Sequence, residues 1–321
     1  MNLKSIFKIL VFLSILGCKE SKPENDQVND SPNNSTLNII GNYVSDSYNK
    51  RDEGYDWLAI NIQQVSSENY QLKVRSRADK KRPTCLMDLS INKVSEGEYS
   101  GILQGKKIMV DFSKDSLRIY PENKSGEAVL SFYCSGGATV AGSYSKITSE
   151  IDPDQVDKTL YHKNLMLQNI GFIIKSIQDE KEKVLQIQPY GLSINNDLVS
   201  HSFKGRIKNA EIEDLNSDGY PEILVYIVTP DNFGKVIGYS VNNGKSMSMI
   251  YLPEIQDNAD FKNDYQGFDD FAIAETSLIR RFPVYNNSIK TDTIKQIVYK
   301  LKDGENSRKF EIESVDIYSL K

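Results

Sequence analysis

The stretch Glu213-Asp-Leu-Asn-Ser-Asp-Gly-Tyr-Pro-Glu-Ile223 sets oxygen-bearing side chains at alternate positions, Asp214, Asn216 and Asp218, just ahead of Gly219. That spacing suits a calcium loop, where such oxygens converge on a hard cation, and Glu222 is a candidate later ligand. The glutamate that would close an EF-hand is missing, since Val225 stands in its place within a strand-like run. The same residues equally suit an Asx-rich turn, with side chains bonding their own backbone and Gly219 at positive φ. Both readings stand at the level of sequence.

A second cluster runs from Pro253 to Asp270. It gathers Glu254, Asp257, Asp260, Asp264, Asp269 and Asp270 around a lone cation, Lys262, and interleaves Phe261, Tyr265 and Phe268 with Gly267. A long loop without periodicity is usually functional or disordered. Aromatic rings supply stiff contact area, and the local negative field would steer a basic partner. The alternative is a loop folded back on its own domain. The basic run Val74–Pro83, with Asp79 as its only acid, reads as a solvated loop or as a contact for an anionic polymer.

No set of catalytic groups emerges. The histidines are His162 and His201, neither near a cysteine, and there is no nucleophile elbow, phosphate-binding glycine loop or zinc spacing. A glycosidase needs carboxyls at a fixed separation, which a mobile loop does not provide. The expectation is a protein that is not an enzyme and has no cofactor, calcium aside.

The elements that must position these residues are strands. Leu58/Ile60/Ile62, Tyr70/Leu72/Val74, Cys85/Met87/Leu89/Ile91, Ile108/Val110/Phe112, Leu117/Ile119 and Leu130/Phe132/Cys134 each alternate with polar residues. They predict a small antiparallel barrel or sandwich over 38–147. Residues 148–158 read as a polar linker. Strands resume over 159–321, with Asn243-Gly244 as a hairpin turn, and the two β units share no evident repeat. The fold class is all-β, with two antiparallel β domains: a lipocalin-like barrel or sandwich, then a larger β-sandwich-like domain. Within the second, Phe271–Phe282 reads as one strand. Counting faces along it puts Arg280 on the apolar side, where a buried charge requires a partner. Glu222 is the candidate, Glu275 falls on the opposite face, and Arg281 is the exposed arginine.

The chain of 321 residues carries a net charge of −5, which argues against a nucleic-acid binder. Lys4 and Lys8 precede a short apolar run, Ile9 to Leu16, which ends Ile15-Leu16-Gly17-Cys18. Residues 1–17 therefore read as a signal peptide, too short to span a bilayer, which needs roughly 20 apolar residues. Its ending resembles a bacterial lipobox, which implies acylation of Cys18 and anchoring in the envelope, at the outer membrane. A simple secretory signal is the alternative. Residues 18–37 form a polar, flexible tether. In an exported chain, Cys85 and Cys134 most simply form a disulfide stapling strands across the core, with separate buried thiols as the alternative.

Within 159–315, "AEIEDLNSDGYPEILVY", "GYSVNNGKSMSMIYLPEI", "YQGFDDFAIAETSLIRRFPVY" and "IKQIVYKL" occur in this order. Together they resemble the periplasmic inhibitors of invertebrate-type lysozymes. The resemblance implies a β-sandwich-like inhibitor that presents loops to the lysozyme active-site cleft and has no catalysis of its own. A groove lined with carboxylates is best met by amides, hydroxyls and cations. The candidate contacts are thus Asn263, Tyr265, Gln266 and Phe268 in the long loop and Asn232, Phe233 and Lys235 in the shorter loop 229–235. A glycan-binding surface module, calcium-dependent through Asp214, Asn216 and Asp218, and an envelope interaction protein without enzymatic activity are the rival readings.

Overall fold

The computed structural model describes residues 37–79, 85–179, 182–255, 258, 261, 263–305 and 307–319. They belong to one compact unit. Cys18 and the expected tether up to residue 36 lie outside the described residues, and Leu37 already packs on the barrel core. Among those described, no helix is long and apolar enough to cross a membrane.

The first half is a closed antiparallel barrel of eight strands. In order these are β1 (Gly41–Val44), β2 (Leu58–Gln64), β3 (Asn69–Ser76), β4 (Met87–Ser95), β5 (Glu98–Leu103), β6 (Lys106–Phe112), β7 (Ser116–Pro121) and β8 (Gly142–Ile147). Closure by β1 against β8 removes the free edges. The alternating apolar rows turn inward, so Ile60, Ile62, Leu72, Val74, Met87, Ile91, Ile108 and Val110 share one core.

The row expected from Leu130, Phe132 and Cys134 is not a strand. Glu127–Phe132 forms a short helix, α1, in which Val129 and Leu130 are buried and Phe132 is exposed. Their period-two spacing is accidental. β7 already pairs directly with β8, so the wall has no vacant place, and the segment instead plugs the barrel end with Val129, Leu130 and Tyr133. The disulfide Cys85–Cys134 is present. It ties the approach to β4 to the residue just past α1 and its C-cap, rather than joining strands across the core.

The expected linker is also built in. Ile151 and Val156 pack with Trp57, Tyr48 and Val44 on the outside of the barrel. Asp157 N donates to Ser76 O (2.9 Å) and Ala78 N to Gln155 O (2.6 Å). The basic run divides likewise. Arg75 and Arg77 are buried, Arg75 on Asp88 (2.6 Å) and on Thr159 O (2.8 Å), Arg77 on Asp79 and the Tyr55 carbonyl. Lys80, Lys81, Arg82 and Pro83 lie outside the described residues.

The second half contains three four-stranded antiparallel meanders in succession. They are β9 (Thr159–Leu167), β10 (Ile170–Asp179), β11 (Glu182–Tyr190) and β12 (Val199–Phe203); β13 (Arg206–Glu213), β14 (Glu222–Val228), β15 (Gly234–Asn242) and β16 (Ser246–Ile250); and β17 (Asp270–Ala274), β18 (Ser277–Asn286), β19 (Ile289–Lys302) and β20 (Lys309–Ser319). The middle sheet is covered on both faces. Ile223, Val225 and Ile227 of β14 join the core shared with the first sheet, while Leu224 and Tyr226 join the core shared with the third. The unbroken apolar run of β14 follows from this, because a strand buried on both faces has no polar side to alternate. The β-sandwich thus has three layers. Its turns follow local chemistry: Asn243 and Gly244 both take positive φ, 50° and 66°, as a two-residue hairpin requires.

Candidate functional site

The loop 229–235 and the end of the longer loop, 263–270, meet in one ridge. Asn232 takes a left-handed φ of 65°, and Asn232 N donates back to Thr229 O (3.0 Å). That turn aims Asn232 O at the other loop, where it accepts from Phe268 N (2.7 Å). Gly267 makes the approach feasible: its φ is +85°, and a Cβ there would lie 2.7 Å from Asn232 O. Gly234 N donates to Asp269 Oδ2 (2.6 Å), closing the second rung.

Beneath the ridge sits a buried polar triad. Arg280, 3% exposed, donates from Nε to Asp269 Oδ1 (2.7 Å) and from Nη2 to Tyr265 Oη (2.8 Å), and Tyr265 Oη donates to Asp269 Oδ2 (2.7 Å). The guanidinium also lies over the rings of Tyr265 (5.1 Å) and Phe271 (5.2 Å). Burial works against its charge, but Asp269 and Tyr265 outweigh that and hold its pKa above the ordinary value. Burial likewise raises the Tyr265 phenol.

The partner of Arg280 is therefore Asp269 and not Glu222. The reason is a turn at Glu275, which lies at positive φ (52°), exposed, between β17 and β18. Phe271–Phe282 is thus two strands of a hairpin in which Phe271 opposes Arg280. Folding there brings Asp269, on the same face as Phe271, diagonally onto Arg280. Arg281 is half-buried rather than exposed and donates to Gln296 Oε1 (2.7 Å).

The candidate contacts separate accordingly. Tyr265 is 8% exposed, packed edge-on against Phe282 (4.9 Å) and Phe233 (5.7 Å), so it supports the ridge and does not present a side chain from it. Phe233 and Gln266 are half-buried. Asn232, Lys235, Asn263 and Phe268 are exposed, and Phe268, 53% exposed, stacks on Tyr285 at 6.4 Å. Beside them opens a cleft of about 810 Å³, lined by Thr229–Asp231, Phe233, Lys235, Leu252–Glu254, Tyr265 and Arg280.

Half of the carboxylates behind the expected negative field are paired within the molecule. Asp264 pairs with Lys295 (2.5 Å), Asp269 with Arg280 and Asp270 with Lys208 (2.6 Å). These three carboxylates are counter-ions of the strands they meet. Asp257, Asp260 and Lys262 lie outside the described residues.

The other oxygen cluster folds as a turn. Asp214 accepts from Asp218 N (3.0 Å) and Gly219 N (2.9 Å), and Asp218 accepts from Tyr220 N (2.9 Å) and from Arg308 Nη2 (2.7 Å). The Arg308 guanidinium is thus already the counter-ion of Asp218. Glu222 is wholly buried, accepts from Ser240 Oγ (2.5 Å) and Leu215 N (2.7 Å), and burial pushes its pKa up to about 7. Among the described residues no group of three or more His, Cys, Asp or Glu side chains could hold a metal ion. The roles of Asp269, Lys295 and Arg308 as ion-pair partners escaped notice in the sequence. Reading Glu275-Thr276 as a turn would have revealed the first.

No protein-family model matches the chain, and no curated protein matches it significantly.

Proposed function

We propose that this chain is a non-catalytic bacterial envelope lipoprotein, anchored through Cys18, whose ridge binds and inhibits a lysozyme and so protects peptidoglycan. The observation that carries the reading is the preorganised ridge itself. Asn232, Lys235, Asn263 and Phe268 project from loops cross-braced by backbone hydrogen bonds and a buried triad, so docking orders little that is not already ordered. The exposed groups are amides, an ammonium and an aromatic ring, which suit a groove lined with catalytic carboxylates. Because Asp264, Asp269 and Asp270 are internally paired, the reading rests on shape and short-range bonding, not on steering of a basic enzyme from a distance.

The test is cell-wall lysis by invertebrate-, chicken- and goose-type lysozymes with the purified protein added. Inhibition of the invertebrate type is expected, with Phe268→Ala weakening binding about 30-fold, the loss typical of a central aromatic anchor. Chelator should leave inhibition unchanged, which separates this reading from a calcium-dependent glycan-binding module. Absence of binding to every lysozyme would sink it.

A further inference from the structure

The barrel and the sheet stack do not meet flush. Between the outer wall of β2–β4 and strands β9, β13 and β17 lies a cleft of about 760 Å³, within the range of roughly 300–1,000 Å³ usual for small-molecule sites. Its charge runs against the acidic balance of the chain. Its lining carboxylates, Asp88 and Asp270, are already matched by Arg75 (2.6 Å) and Lys208 (2.6 Å). Lys73, Lys183 and Arg206 also line it and form no ion pair among the described residues. Lys73 and Lys183 instead rest on the carbonyls of Leu160 (2.9 Å) and Gly205 (2.6 Å), each leaving ammonium protons to spare. Burial lowers the Lys73 pKa, with Asp88 offsetting part of the effect and Arg75 adding to it.

Ser176 adds an independent pointer. It lines the same cleft, is 1% exposed, and its hydroxyl has no hydrogen-bond partner. A buried hydroxyl left so costs about 1–3 kcal/mol, which a ligand hydroxyl or carboxylate would relieve. The remaining polar lining is neutral and amide-rich, including Gln63 and Asn209.

We propose that this cleft binds an acidic sugar, a saccharide unit bearing a carboxylate or phosphate. Lys73, Lys183 and Arg206 hold the anion, and Ser176 and Gln63 meet the hydroxyls. The site is separate from the ridge and does not depend on the lysozyme reading.

Isothermal titration calorimetry on the full chain decides it, with glucuronate, galacturonate and glucose 6-phosphate as probes and glucose and inorganic phosphate as controls. At least one acidic sugar should bind, more tightly than either control, with affinity falling as salt rises. A uronate preference assigns carboxylate chemistry and a preference for the sugar phosphate assigns phosphate chemistry. Arg206→Gln, at an exposed position, should weaken binding about tenfold, as should Lys183→Gln, the scale of a charge-assisted hydrogen bond. Ser176→Ala should weaken it several-fold while leaving the melting temperature unchanged or raised. No binding of any probe at millimolar concentration would overturn the proposal. Equal binding of inorganic phosphate or glucose, or wild-type affinity in the folded Arg206 and Lys183 variants, would do so as well.

Discussion

Arg280 carries its charge into a site with almost no water, and what makes this tolerable is a complete set of partners: Asp269, Tyr265 and two aromatic faces. Arg280→Ala would leave the Asp269 carboxylate buried and short of its cation, so urea denaturation should register a loss of about 3–5 kcal/mol. Arg281→Ala removes only a half-buried bond to Gln296 and should cost less than about 1 kcal/mol. The contrast is the check. An Arg280→Ala protein of unchanged stability that no longer binds lysozyme would make Arg280 a contact residue instead. Arg280's burial was legible from its place among Leu278 and Phe282. Its partner was not, because one unrecognised two-residue turn reverses the chain and changes which residues face it.

Elements here owe their placement to close approaches that only glycine allows. Gly267 is the clearest, since its positive φ and its contact with Asn232 O both exclude a side chain. Gly267→Ala should separate the loops and weaken lysozyme binding more than it lowers global stability, of which about 1–3 kcal/mol should be lost. Binding assays beside denaturant melts would separate the effects. In the barrel, the disulfide closes a separation of 49 residues, for which chain-entropy arguments give about 4 kcal/mol. Cys134→Ser should therefore lower the melting temperature clearly, read by differential scanning calorimetry, and free α1 from the approach to β4. The helix itself hid in the sequence: Leu130, Phe132 and Cys134 mimic a strand row, and only the closed wall of β7 and β8 shows that no strand is wanted there.

The whole molecule balances opposing titrations. Glu222, buried in the middle sheet, has its pKa raised from 4.5 to about 7 by burial. The native state therefore holds a proton that the unfolded chain has released, and stability falls as pH rises from 4.5 to 7. His162, where the barrel meets the stack, has its pKa lowered from 6.5 to about 4, first by burial, and its Nδ1 is enclosed without a partner. Here the unfolded chain takes up the proton first, so stability falls as pH drops from 6.5 to 4. Each is worth at most about 3 kcal/mol, and they oppose one another across the same window. The wild type should show a shallow profile. Glu222→Gln should expose a loss of stability toward acid, and His162→Phe a loss toward neutrality, in melts recorded between pH 4 and 7. Parallel profiles for all three proteins would refute this account.

The sequence by itself determined that the fold is nearly all β, where most strands lie and that Asn243-Gly244 turns a hairpin, and it favoured a bridge between Cys85 and Cys134. These depend on period-two burial, on backbone preference at a turn and on redox chemistry, all written in neighbouring residues or in composition. Only the tertiary structure decided that the second half repeats a four-stranded meander three times, since the middle sheet is buried on both faces and the outer ones are not, so equal topology draws on unequal patterns. It also decided that Asp264, Asp269 and Asp270 of the acidic loop are internal counter-ions and that Tyr265 is a support. Charge and aromaticity are properties of a residue, but their use depends on what stands opposite: Lys295 and Lys208 come from strands distant in sequence, and Arg280 reaches Asp269 only across a hairpin turn.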